Sequence, residues 1–378
     1  MRIIIGLCIF CLVLFLYLHI QFHLKTGEDL EMYEVDQPSK DKLEEICDLR
    51  QPVLFDFDCQ KIMDTSNRNY VANNYHAFEV KVRDIRENDS NNELYMPLPM
   101  HSAVKLFDED KSASYFSENN ADFLEETGIS KNMRYNDEFL RPYMVSNCNY
   151  DILMGSAHNC TPFRYEINYR NYFLLTQGSA QIKLSPPHSI KYLYPVYDYE
   201  NFEFRSPVNP WKPQPRYTAD FDKIKCLEFT LVPGKTLYIP AYWWYSIQFN
   251  ENTSISCFSY RTYMNNLAIL PYICLHALQI QNVKRDVVKK VSINELNNKE
   301  IIVPVDNEDL LNTNNTNDSN NYNTNDSNNY DTNDTNDTNN YNNNNIDTNN
   351  NNNYINHSSN IDDLPQPASS DNNIGAEL

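Results

Sequence analysis

Arg164 and Glu166 are the residues whose types and spacing most suggest chemistry. They stand two apart in the run Thr161–Glu166 (TPFRYE). In an extended strand, residues i and i+2 share a face, so a guanidinium and a carboxylate would lie side by side. That pair suits an ion pair, tolerated in an interior if fully hydrogen-bonded. It does not suit a metal, because a guanidinium has no lone pair to give and keeps its proton at any relevant pH. His158 and His188 flank the run and are expected as solvent-facing loop residues. Of nine cysteines, Cys8 and Cys11 fall in an apolar N-terminal run, and the other seven form no CxxC pair and no metal-ligand spacing. This argues against zinc and against a complete disulfide framework, and no metal is assigned.

The elements that must position these residues are short strands. Turn-separated runs of strand-favouring residues occur at 151–154, 161–165, 172–176, 181–184, 227–232, 236–239, 244–249 and 254–260. Earlier, 52–57 (PVLFDF) reads as a strand, and 76–83 alternates, with Phe78, Val80 and Val82 on one face and Glu79, Lys81 and Arg83 on the other. Between 102 and 135 the apolar spacing predicts short helices. Asp41, with Glu44 three residues on, predicts a helix start with a capping aspartate, ending near Cys47. Residues 189–219, rich in tyrosine and proline, read as a long ordered loop across a barrel mouth. Residues 233–247, PGKTLYIPAYWWYSI, pack a tight turn, a strand, a proline corner and a second strand into fifteen residues. As strand neighbours, Trp243 and Trp244 point to opposite faces, one filling the barrel and the other packing under the N-terminal elements.

That stretch resembles the late segment of JmjC-like cupins, the iron- and 2-oxoglutarate-dependent oxygenases, in which PGD-x-L-x-IPAGWWH carries the last metal ligand. The resemblance runs from Leu49 to Tyr260 and implies a mainly β fold, a double-stranded β-helix of the cupin or jelly-roll type with flanking helices. It also implies a site of two histidines and one carboxylate. In place of the family's TPLHxD this chain has Thr161-Pro162-Phe163-Arg164-Tyr165-Glu166, so Arg164 or Tyr165 takes the first histidine's place, Glu166 the carboxylate's and Tyr245 the last histidine's. The family's GxKxxxLFPP carries a cosubstrate lysine where this chain, reading from Gly178, has Ala180. Lys183 is out of phase and turns to the other face. Thr161, Tyr165, Asn171 and Trp243 are expected to border the pocket.

The two ends are of different character. Residues 3–20 are almost unbrokenly apolar and long enough for a bilayer core of about 30 Å, which predicts a single-pass membrane anchor over 1–24, with no small-residue cleavage site following. Flanking charges leave the side on which the domain lies open. Sequons at Asn88, Asn159 and Asn252 would suit a luminal or exterior domain. A linker and short helix over 25–48 lead to the barrel at 49–262. A helical segment follows over 263–302, whose residues 267–291 either pack on the barrel or pair two copies as a homodimer. From 303 to 378 the chain is an asparagine-rich low-complexity tail, with NTNDSNNY twice in tandem at 315–322 and 323–330, expected to be disordered. The net charge of −20 argues against nucleic acid as a partner.

The expected function is that of an inactive pseudo-oxygenase, a binding or structural module in a viral or intracellular membrane, its pocket closed by Arg164, Glu166 and Tyr245 or retuned to a small acidic ligand, with no cofactor. The alternative is an active Fe(II)- and 2-oxoglutarate-dependent protein hydroxylase with non-standard ligands. A glycan- or peptide-binding surface protein using the tyrosine-rich loop is the third class.

Overall fold

Strand-favouring runs broken by turns build two sheets around a shared core. A computed structural model describes residues 1–57, 59–87 and 95–281. In chain order its strands are β1 Tyr33–Val35, β2 Val53–Asp56, β3 Glu79–Asp84, β4 Met96–Pro99, β5 Tyr115–Ser117, β6 Val145–Gly155, β7 Arg164–Tyr165 and β8 Arg170–Gln177. They continue as β9 Ala180–Ser185, β10 Val196–Asp198, β11 Glu203–Arg205, β12 Leu227–Leu231, β13 Lys235–Ile239, β14 Trp244–Phe249 and β15 Ser254–Thr262. One sheet has the order β1-β2-β13-β8-β15-β6-β5-β3-β4 and the other β10-β11-β7-β14-β9-β12.

The inner faces meet in a core of Leu54, Phe173, Leu237 and Ile255 from the larger sheet and Ile182, Leu184, Ile247 and Phe249 from the smaller. The outer face of the larger sheet is covered by short helices, including α2 (Lys40–Cys47), α3 (Gln60–Ser66), α4 (Arg68–Asn74), α5 (Met100–Glu109), α6 (Ala121–Glu126) and α7 (Ile129–Asn136). The short helices expected from the apolar spacing between 102 and 135 are therefore found as α5, α6 and α7, whereas α3 and α4 were not foreseen. The outer face of the smaller sheet buries Phe163, Tyr165, Phe204 and Trp244 against Ile269, which links α9 (Tyr263–Ala268) to α10 (Leu270–Gln281), and against Tyr272 and Ile273 of α10. Helix α8 (Thr218–Phe221) lies on the same side.

Several expectations are corrected. Ser39, not Asp41, caps α2, its hydroxyl accepting from the Lys42 N–H at 3.3 Å. The linker over 25–48 also contributes a strand that was not foreseen, β1, which pairs in parallel with β2. The loop over 189–219 contains a hairpin, β10–β11, that extends the smaller sheet through β7. The strand expected over 161–165 shortens to β7, because Thr161 instead holds β14 from outside the ladder, accepting the Ile247 N–H on Oγ1 at 3.0 Å. Arg83, expected on the solvent face of its strand, is buried. Trp243 and Trp244 do point to opposite faces. Trp243 joins the inner core and donates to the Arg50 carbonyl, while Trp244 packs with the C-terminal helices rather than the N-terminal elements.

The N-terminal helix α1, Arg2–Leu24, is long and apolar enough to cross a bilayer, a property that a signal sequence shares. The Asn159 side chain is buried, whereas Asn252 is exposed and Asn88 lies outside the described residues. The low-complexity tail and the part of the 263–302 segment beyond residue 281 also lie outside them.

Candidate functional site

Cross-strand register decides which side chains meet. Tyr245 on β14 lies directly opposite Arg164 on β7, and opposite neighbours in a ladder present their side chains to the same face. Arg164 therefore faces a cavity of about 430 Å³ at one end of the sandwich, also lined by Glu118, Glu166, Glu203, Tyr245 and Arg261. Tyr165, next in the strand, turns away and stacks on Phe204 with ring centroids 5.2 Å apart.

The cavity wall is an alternating chain of charges and hydrogen bonds. Arg164 Nη2 lies 2.6 Å from Glu118 Oε2 and its Nη1 3.8 Å from Glu203 Oε1. Arg164 Nε donates to the Tyr245 hydroxyl at 3.2 Å, and that hydroxyl donates to Glu166 Oε1 at 3.1 Å. Asn168 links the next two members, its Nδ2 reaching Glu166 Oε2 at 3.4 Å and its Oδ1 accepting from Arg261 Nε at 2.6 Å. At the other end Arg83 Nη1 lies 3.1 Å from Glu118 and 2.7 Å from Glu203, and Tyr95 donates to Glu118 at 3.0 Å. The direct Arg164–Glu166 ion pair expected from the i, i+2 spacing is thus corrected. The phenol of Tyr245 sits between the two groups, and the guanidinium is paired with Glu118 and Glu203.

Protonation follows from these partners. Burial would raise the Glu118 carboxyl, but Arg164 and Arg83 outweigh it and hold it down to about 2. Glu166 goes the other way. Its burial outweighs the lowering by Arg164 and by the Tyr245 hydrogen bond, so its carboxyl is raised. Burial also pushes the Tyr245 phenol well above its ordinary value, which keeps the proton that binds Glu166. Nearby, burial raises Asp151 to about 6 even though the backbone N–H groups of Asn119, Asn120 and Ile152 donate to it.

The residues do not fit the iron and 2-oxoglutarate that the family resemblance implies. Among the described residues no three His, Cys, Asp or Glu side chains converge to hold a metal ion. The guanidinium at position 164 is committed to two carboxylates and a phenol, and the phenol at 245 remains protonated. His158 and His188 are both exposed and do not line the cavity. Ala180 is buried in the inner core, paired with Leu231 and Phe249 on the flanking strands. Lys183 turns outward, 3.2 Å from Glu228 and 4.6 Å from the Trp211 ring.

Arg164, Glu166 and Tyr245 are therefore brought together at the cavity, whereas Thr161, Tyr165, Asn171, Trp243 and Ala180 are not among its lining. Asn171 is buried beside it, accepting from Ser259 at 3.1 Å. Sequence reasoning missed Arg83, Glu118, Glu203 and Arg261. The alternation Glu203-Phe204-Arg205 was the one local sign of a strand inside the tyrosine-rich loop.

The model of the cupin-like domain family matches residues 23–264. The chain is also similar to HSPB1-associated protein 1 of Rattus norvegicus and of Mus musculus, 28% identical over 104 residues that cover 27% of this chain and 22% of each relative. The Homo sapiens protein matches at 28% over 104 residues, 21% of its length. The match thus spans about a fifth of the length of these curated relatives.

Proposed function

Because this chain belongs to the cupin-like domain family, the premise is a fold best known for metal chemistry, and we propose that this member is catalytically silent and serves as a membrane-anchored binding or structural module. The observation that carries the reading is the commitment of Arg164. A buried guanidinium stands between Glu118, Glu203 and Tyr245 at the position where the resemblance places a metal ligand. Placing a divalent cation beside it would cost Coulomb energy in a low-dielectric interior. The cavity, at about 430 Å³, lies in the size range that small molecules occupy. Anchoring rests on the length and composition of α1 and on the residues Gln21 to Lys25 that follow its apolar run, which offer no small-residue cleavage site.

The test uses the full-length protein in detergent, reconstituted with Fe(II) under nitrogen and then given 2-oxoglutarate and oxygen. Substoichiometric iron and no decarboxylation above the buffer background are expected. Stoichiometric iron with turnover would overturn the reading in favour of a hydroxylase built on Glu166 and a displaced histidine.

A further inference from the structure

The last turns of α1 do not hang free of the domain. His23 is buried, its Nε2 lies 3.3 Å from Thr262 Oγ1, and its ring centroid is 5.0 Å from that of Tyr169. The Arg50 guanidinium lies 5.0 Å over the Phe22 ring and 4.8 Å over that of Tyr169. Beside this joint runs a groove of about 510 Å³, walled on one side by Leu18, His19, Phe22 and His23 and on the other by 142–144, Thr262 and Met264; Glu44 and Asp48 also line it, their carboxylates paired with the buried Arg170 at 3.1 and 2.5 Å.

Its mouth is open and mostly apolar. Tyr143, 63% exposed, and Met144, 73%, line it, and Tyr263, 64% exposed, stands between the lining residues Thr262 and Met264. Met144 also has a φ of +54°, a left-handed conformation uncommon for a residue with a side chain, and its carbonyl accepts from the Tyr263 N–H at 3.4 Å. Strain of that kind persists where surrounding structure imposes it and often marks a contact site. Here it accompanies a methionine left in solvent next to two exposed tyrosines. Lys40 lies 5.3 Å from the Tyr143 ring, so a cation is also at hand.

We propose that this groove is a phospholipid site, seating an acyl chain of the bilayer that α1 enters, with Tyr143, Met144 and Tyr263 lying in the interface beside it and Lys40 at headgroup level. The inference rests on the reading of α1 as a membrane span. A helix of 23 residues is about 35 Å long at 1.5 Å per residue, and the hydrocarbon core is about 30 Å thick. Leu18 to His23 occupy its last turns, so the groove opens where acyl chains give way to headgroups. Tyrosine, with an apolar body and a polar tip, suits that level. An apolar rim is a liability in water and not in lipid.

The test places a tryptophan reporter in the full-length protein in phosphatidylcholine bilayers whose acyl chains are brominated near the headgroup. Met144→Trp probes the rim and Tyr263→Trp is a second probe should the first fail to fold. Val232→Trp is the control. Val232 is exposed, and it lies beyond the Lys235 end of β13, which pairs with Asp56 at the end of β2 remote from Arg50 and α1. The added emission of Met144→Trp or Tyr263→Trp should be mostly quenched and that of Val232→Trp spared. Protein that stays in the bilayer through an alkaline carbonate wash, yet shows no more quenching at the rim than at 232, overturns this inference alone. Protein stripped by the wash overturns the anchor reading, and this inference with it.

Discussion

At the scale of single residues, Arg164 decides the character of the cavity. It is buried, and it neutralises Glu118 and Glu203, which are buried as well. Removing one partner of a buried ionic group typically costs about 3–5 kcal/mol because the charge left behind is uncompensated. Arg164→Met should therefore lower the unfolding free energy by that order, measured by urea titration. Arg164→Met combined with Glu118→Gln should recover part of the loss. A loss smaller than about 1 kcal/mol would mean that Arg83, with Arg205 beside Glu203, suffices for both carboxylates. The identity of Arg164 was legible in the sequence, and so was the side to which Lys183 turns, because strand alternation is a local rule. Its partners were not legible. Arg83 meets Glu118 and Glu203 across 35 and 120 residues of chain, and no local pattern encodes such a meeting.

At the scale of elements, the tight connection between β8 and β9 holds the two sheets in register. Gly178 has a φ of +75°, and a Cβ there would lie 2.8 Å from the Glu251 carbonyl oxygen and 2.8 Å from the Thr253 Cα. Both the left-handed backbone and the close approach demand glycine. Gly178→Ala should destabilise by more than the roughly 1 kcal/mol that a positive φ alone would cost, read as a lower denaturation midpoint. The parent strands were legible as runs of strand-favouring residues bounded by turn signals, with ends that shifted by one or two residues. The β10–β11 hairpin was not, because its prolines and tyrosines read as loop. Its three-residue strands are held by pairing with β7 and by the ring packing of Tyr197, Tyr199 and Phe204 with Tyr272 of α10. The cap of α2 was misplaced by two residues for a related reason, since Ser39 and Asp41 are both good capping types and only the backbone distinguishes them.

At the scale of the whole molecule, the charge chain fastens one sheet to the other. Arg83 and Glu118 come from β3 and the end of β5 in the larger sheet, while Arg164 and Glu203 come from β7 and β11 in the smaller. Global stability should accordingly follow pH in two steps. Asp151, ordinarily near 3.8 and raised to about 6, costs stability once ionised, a cost complete above about 6 and absent below 3.8. Glu118, ordinarily near 4.5 and lowered to about 2, contributes stability that is fully present above 4.5 and lost as pH falls towards 2. Acidification from pH 7 should first stabilise the protein and then destabilise it, by roughly 1.4 kcal/mol per pK unit of displacement. Asp151→Asn should shrink the first step in denaturation profiles taken between pH 7 and 4, leaving only the share that comes from the raised Glu166 carboxyl. The mismatched amide adds a constant offset, so the slope carries the test.

The same arrangement bears on how such a protein could change over generations. A histidine at 164 would supply a metal donor but take from Glu118 and Glu203 one of the guanidinium groups that neutralise them, leaving Arg83 to both and Arg205 to Glu203. A histidine at 245 would remove the hydroxyl that links Arg164 to Glu166. Each single step towards a metal centre first loses fold, and a lysine at 180 would have to emerge inside a closed apolar core. The molecule is thus held on its present side of a fitness valley by the contacts that keep it folded, and only concerted replacement crosses it.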